Sequence, residues 1–290
     1  VLTSDPDEDA APRWEAYLRE FHSNTPRAST LAHELFADAR GNSSYARLVA
    51  ILERMPDPRK LAVLDLGCGD GHLIDHIRLL TGDGARVDGI DLVPEEIARA
   101  KAWGRQAELV VGRAQELPYD DASFHAVLSH FAFSVMVPPE PVVAEIERVL
   151  RPGGFFATAL MSYASARDDL AAILAAFCDE RRRAAPLGDA ADPERRNVTP
   201  EAIAALFAAA GSTRVMRQEA VPFVATVDAD AAWLYLTTLY FFDVLDTPAR
   251  KRLRAHIDAR AAANGGRLNF RTTIEFVAMV PPPTKRNLPR

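Results

Sequence analysis

The chain has 290 residues, of which 48% are hydrophobic and 26% charged, and its formal net charge is −6. Such a length suits one large domain or two small ones, at roughly 150 residues each. The apolar content can build a buried core and excludes disorder throughout, and 34 basic against 40 acidic residues leave no global attraction for nucleic acid or an anionic membrane.

Residues 1–11 read as an acidic tail carrying Asp5, Asp7, Glu8 and Asp9, unlike a signal peptide. Residues 12–55 read as two or three helices, broken near Asn24-Thr25-Pro26 and Gly41-Asn42. After Pro56-Asp57-Pro58, the apolar run Lys60 to Leu66 reads as a buried strand. A helix over Gly71 to Leu80, a strand over Arg86 to Asp91 and a helix over Pro94 to Trp103 follow. Glu108 to Val111 and Phe124 to Ser129 are further strands. Val142, Ile146, Val149 and Leu150 mark one face of the next helix, and Phe155 to Met161 is the fifth strand.

The second half is looser. Residues 163–185 read as an alanine-rich helix. Thr199 suits an N-cap, Pro200 the first helical position and Gly211 the C′ position of another. Thr213 to Val227 reads as one or two strand segments broken at Pro222. A helical insert over 228–264 precedes an alternating strand at 269–280, and 281–290 form a second tail. Strands alternating with helices imply a mostly parallel sheet with helices on both faces. The ligand site is expected beyond the C-terminal strand ends, near the first strand.

Two cysteines, Cys68 and Cys178, exclude a disulfide framework and fit a reducing, cytoplasmic setting. No uncharged apolar run reaches the roughly 18 residues of a membrane span. The nearest, Ala231 to Leu245, contains Asp243.

The segment Val63-Leu64-Asp65-Leu66-Gly67-Cys68-Gly69-Asp70-Gly71 joins a predicted strand to a predicted helix. Glycines there allow a tight turn and close ligand approach, and the helix N-terminus offers N–H groups to an anionic group. A dinucleotide fingerprint would put its third glycine where His72 stands, and the P-loop pattern is absent. Asp91, at the end of the second strand, suits the two hydroxyls of a ribose.

Taken in order, that loop, Gly89-Ile90-Asp91-Leu92, the segment Gly112 to Phe124 and Leu150-Arg151-Pro152-Gly153-Gly154 resemble class I S-adenosylmethionine-dependent methyltransferases. The resemblance implies an α/β, Rossmann-like, doubly wound sheet of seven strands. It would be mostly parallel, with the antiparallel last strand inserted between the fifth and sixth. One domain over 12–280 would comprise an N-terminal helical lid (12–55), a donor-binding half (56–161) and an acceptor-side half (162–280) with its insert. By position, Asp65, Gly67, Gly69 and Gly71, with Cys68 among them, would surround the methionyl part of S-adenosylmethionine. Asp91 would meet the ribose and Leu92 the adenine. Arg113, Ala114 and Gln115 would line the adenine edge, and Ser129 would lie near the donor sulfur. Tyr45 would meet the donor carboxylate. S-Adenosylhomocysteine would be the product. Arg113 departs from the usual acidic residue and has no acceptor for the adenine amino group.

His130, beside Ser129, is the candidate general base, and a packed or orienting role is the alternative. His72 and His76 have metal-compatible spacing but no third ligand, so a solvated helix face is expected. The expected acceptor is a small, apolar or aromatic molecule, as in secondary metabolism, met by Tyr17, Phe131, Phe133, Met136, Tyr240 and Phe241. Tyr235, Leu239 and Phe242 suit pocket lining, core or a homodimer face alike. The competing readings are methylation of a macromolecule, a non-catalytic S-adenosylmethionine-binding scaffold and, more weakly, a nicotinamide-dependent oxidoreductase.

Overall fold

The computed structural model describes residues 10–161, 163–184, 199–210 and 214–280. Residues 1–9 of the tail expected at 1–11, the tail expected at 281–290, residues 185–198, Gly211 and Thr213 lie outside them. The first helix, α1 (Ala10–Asn24), starts two residues inside the expected acidic tail.

The N-terminal helices continue with α2 (Ala28–Glu34) and α3 (Ser44–Val49). The strands are β1 (Ala62–Leu66), β2 (Arg86–Asp91), β3 (Glu108–Val111), β4 (Phe124–His130), β5 (Leu150–Met161), β6 (Arg214–Val227) and β7 (Leu268–Val280). Between them run α4 (His72–Thr81), α5 (Pro94–Ala102), α6 (Pro139–Val149), α7 (Asp168–Ala184), α8 (Pro200–Ala209), α9 (Ala229–Thr237) and α10 (Thr247–Ala263). The seven strands form one sheet in the order β3-β2-β1-β4-β5-β7-β6. β1 to β5 are parallel, whereas β7 runs antiparallel to both neighbours.

Every residue of β1 is buried, because both faces are covered. Alternation sends Val63 to the core under α3 and α4, and Leu64 and Leu66 to the core under α6 and α8. Tyr235, Leu239 and Phe242 belong to the first of these cores. Tyr235 packs edge-on against Phe36 and Phe270. Thr199 caps α8 by accepting the Ala202 N–H.

Two strands differ from expectation. β6 runs unbroken through Pro222, which opposes Thr273. It is the edge strand of the sheet, met on its outer flank by a single bridge between Ala37 and Val224, so the missing N–H of Pro222 is tolerated. β5 starts early, at Leu150, and meets Phe124 across a register shift. The order of strands reverses between β1 and β4. Their C-terminal ends therefore open a crevice at the switch point.

Candidate active site

A cavity of about 1080 Å³, including its open mouth, occupies that crevice. The loop after β1 forms its floor. Gly67 has φ 76°, and a Cβ there would collide with the Cβ of Ala132. The Gly67 and Cys68 N–H groups donate to the Ile90 carbonyl at 2.9 and 3.0 Å, which ties the loop to β2. The Gly69 N–H donates to Asp91 Oδ2 at 2.8 Å, and the Val93 N–H donates to Asp91 Oδ1 at 2.9 Å. A carboxylate has about four acceptor sites, so Asp91 retains capacity for hydroxyl donors.

Asp65 ends up 1% exposed, with Oδ2 bonded to nothing among the described residues. Burial, then the charges of Asp91 and Asp70, push its carboxyl well above the usual range. An ammonium group would relieve both effects. Asp70, by contrast, is held in a network of its own. It accepts the Thr30 hydroxyl at 3.0 Å and lies 3.6 Å from the Arg27 guanidinium. The Cys68 thiol is pushed up by burial and stays protonated.

β4 delivers His130 to the opposite wall. Its Nε2 lies 2.9 Å from the Ser44 hydroxyl, and its ring stacks on Tyr45 at 3.6 Å. Burial holds its pKa well below the ordinary value, so the imidazole is neutral at pH 7. His33 and His22 are likewise pushed down, to about 3 and about 4, chiefly by burial.

A roof crosses the mouth. Trp14 and Tyr17 of α1 interleave with Tyr240 and Phe241, which follow α9. The Trp14 indole N–H donates to the Val135 carbonyl at 2.8 Å. The Tyr17 hydroxyl accepts the Phe241 N–H at 2.6 Å and donates to Asp243. His22 and the Tyr240 hydroxyl lie 3.0 Å apart.

The cavity brings together Tyr45, Asp65, Gly67, Cys68, Gly69, Asp91, Leu92, Arg113, Ala114, Gln115, His130, Phe131, Met136 and Tyr240. Five expected residues do not line it. Gly71 turns the chain into α4 at φ 79° and backs onto Arg105. Ser129 points into the sheet and donates to the Leu66 carbonyl at 2.9 Å, because neighbouring strand residues face opposite ways. Phe133 packs with Phe156 and Phe207 in the core under α6 and α8. Tyr17 and Phe241 stack on each other within the roof at 4.9 Å.

The lining also includes residues that sequence reasoning missed, among them Glu15, His22, Arg27, Asp70 and Glu96. Glu96, pushed up to about 7 mainly by burial, lies against Arg99. Asp70 had a signal, its place within the glycine loop; the lid residues had none. His72 and His76 do not stand on a solvated face. Both pack on Tyr45, at 4.6 and 5.7 Å, and His72 lines the cavity. Among the described residues no group of three His, Cys, Asp or Glu side chains is arranged to hold a metal, and no helix is long and apolar enough to cross a membrane.

Residues 64–158 match a family described as "Methyltransferase domain". An uncharacterized methyltransferase of Synechocystis is 38% identical over 97 residues, covering 33% of this chain and 44% of its own length. Demethylmenaquinone methyltransferase of Chlorobaculum tepidum is 33% identical over 117 residues, covering 39% of this chain and 48% of its own. The chain thus spans about half the length of these curated relatives. The crystal structure of the YcgJ protein of Bacillus subtilis shares the fold, with a TM-score of 0.53 at 18% identity over 81% of this chain and 97% of that one. Sheet order, glycine loop and family match agree: residues 64–158 carry a methyltransferase domain, as the resemblance to class I S-adenosylmethionine-dependent methyltransferases implied.

Proposed function

We propose that the protein transfers a methyl group from S-adenosylmethionine to a small acceptor that is apolar or aromatic around a protic nucleophile. One observation carries this reading. The unpartnered carboxylate oxygen of Asp65 and the carboxylate of Asp91 lie in one cavity at the β1–β4 switch point. Asp65 suits the donor's ammonium group and Asp91 its ribose hydroxyls. Leu92 and Ala114 offer apolar contact to a purine. The donor supplies a methyl carbon already activated by the sulfonium charge.

The chain's own task is alignment and exclusion of water. The aromatic roof closes the cavity over the loop. Phe131, Met136, Val135 and Tyr240 give the acceptor side an apolar surface. His130 is neutral and can take a proton from the acceptor as it is attacked. The roofed cavity favours a small molecule over a macromolecule. The name of the Chlorobaculum tepidum relative, which specifies a quinone-type acceptor, supports a ring-bearing acceptor here as well.

Calorimetry with S-adenosylmethionine, followed by a screen of phenols, quinols, amines and heteroaromatics for release of S-adenosylhomocysteine, tests the reading. Binding with turnover on one of these classes is expected. Binding without any turnover would point to a scaffold, and turnover only on a macromolecule would overturn the acceptor class.

A further inference from the structure

Ser43 and Ser44 stand side by side at the start of α3, and only one of them is needed there. Ser43 is the N-cap, accepting the Ala46 N–H at 3.2 Å. Ser44 is fully buried, and its hydroxyl reaches His130 Nε2 at 2.9 Å instead. Among the described residues no carboxylate pairs with His130. The groups that face it are the His33 edge from α2, the Tyr45 ring from α3 and, farther off, His72 and His76 from α4. Phe131 closes the remaining side at 4.3 Å. All of these are uncharged with the histidines neutral. The orientation of the imidazole is therefore set by one neutral hydrogen bond and one stacked ring.

We propose that Ser44 is a positioning residue for methyl transfer: its hydroxyl accepts the Nε2–H of His130 and so leaves the Nδ1 lone pair free to take the acceptor's proton. The proposal rests on reading the cavity as a methyl-transfer site. A neutral imidazole carries one N–H and one lone pair, and the partner of one nitrogen selects the role of the other. The acceptor's electron pair forms the new bond to the methyl carbon, and the carbon–sulfur pair leaves with sulfur. The acceptor's proton moves to Nδ1. The resulting imidazolium keeps its Nε2–H on Ser44 and lies over the Tyr45 ring, which attracts a cation. Release of the proton to solvent restores the neutral ring.

The test is long-range proton–nitrogen NMR on the full chain labelled with 15N-histidine, in which the His130 signals are those lost in His130→Gln. At neutral pH the wild-type His130 should carry its proton on Nε2. Ser44→Ala should mix the two tautomers while S-adenosylhomocysteine binding stays unchanged and the melting temperature falls only slightly. Turnover on an acceptor found by the screen should fall about tenfold or more in kcat, with KM little changed. A wild-type His130 protonated on Nδ1, or a tautomer indifferent to Ser44→Ala, overturns the proposal. A wild-type chain that does not bind S-adenosylhomocysteine instead overturns the broader reading, and the calorimeter reports that separately.

Discussion

Arg113, just after β3, holds Glu15 of α1 through Nη2 at 2.7 Å and Nε at 3.0 Å. The residue that departs from the usual acid therefore fastens α1 to the rim of the cavity. In the proposed reading the adenine edge would be left to the Gln115 side-chain oxygen and to backbone. The Gln115 Nε2–H group is itself spent on the Val137 carbonyl, at 2.8 Å.

Breaking that fastening should loosen the lid more than the fold. Arg113 is about half exposed, so the pair contributes only up to about 1 kcal/mol. Glu15→Ala should weaken S-adenosylmethionine binding by about fivefold or less and leave the melting temperature nearly unchanged. Calorimetry and a thermal scan check both halves.

Asp65 should show opposite effects on stability and binding. Its folded pKa is raised, so between the unfolded carboxylate value and the folded one the native state holds the extra proton. Stability of the ligand-free protein therefore falls as pH rises through that window. Asp65→Asn removes this loss and should raise the melting temperature at neutral pH. The same change removes a charged partner for the ammonium, weakening donor binding by about 10- to 100-fold. Parallel melts and titrations of the two proteins decide it.

Two neighbouring glycines should respond differently to alanine. Both have positive φ, at 76° for Gly67 and 51° for Gly69, which costs about 1–2 kcal/mol for a residue with a Cβ. At Gly67 the new methyl also meets Ala132 and Met136, adding about 1–3 kcal/mol of overpacking. At Gly69 it enters open space. Urea titration should show the larger destabilisation for Gly67→Ala, while Gly69→Ala should lose donor affinity at modest cost in stability.

Buried neutral histidines set the acid limit. His22 and His33 are pushed down to about 4 and about 3, against an ordinary 6.5. As pH falls below about 6.5 the unfolded chain takes up these protons first, and stability declines. Replacing His33, stacked on Phe131 at 3.8 Å, by Phe should flatten the melting-temperature slope between pH 6.5 and 4. An unchanged slope would assign the acid sensitivity elsewhere.

The glycine-loop side of the cavity was legible because its signals are local. Ala62 to Leu66 is buried throughout and apolar but for Asp65, since both sheet faces are covered, and the Gly67–Gly71 spacing and Asp91 follow along the chain. The aromatic roof and its ties were not legible, because Glu15 and Arg113 stand 98 residues apart and Trp14 meets a carbonyl 121 residues away. His72 and His76 read as solvated because nothing near them in sequence announces Tyr45. Ser129 and His130 show the limit at its finest. They are adjacent on β4, yet alternation gives one to the sheet backbone and the other to the cavity. Only the placement of Ser44 beside Nε2 shows how the second is held.

The most direct measurement is titration of S-adenosylmethionine into the wild-type chain and Asp91→Ala. One saturable site per chain, with affinity lost by about tenfold or more in the variant, is the expected result. No binding to the wild type, or equal binding to both, would contradict the assignment of the cavity.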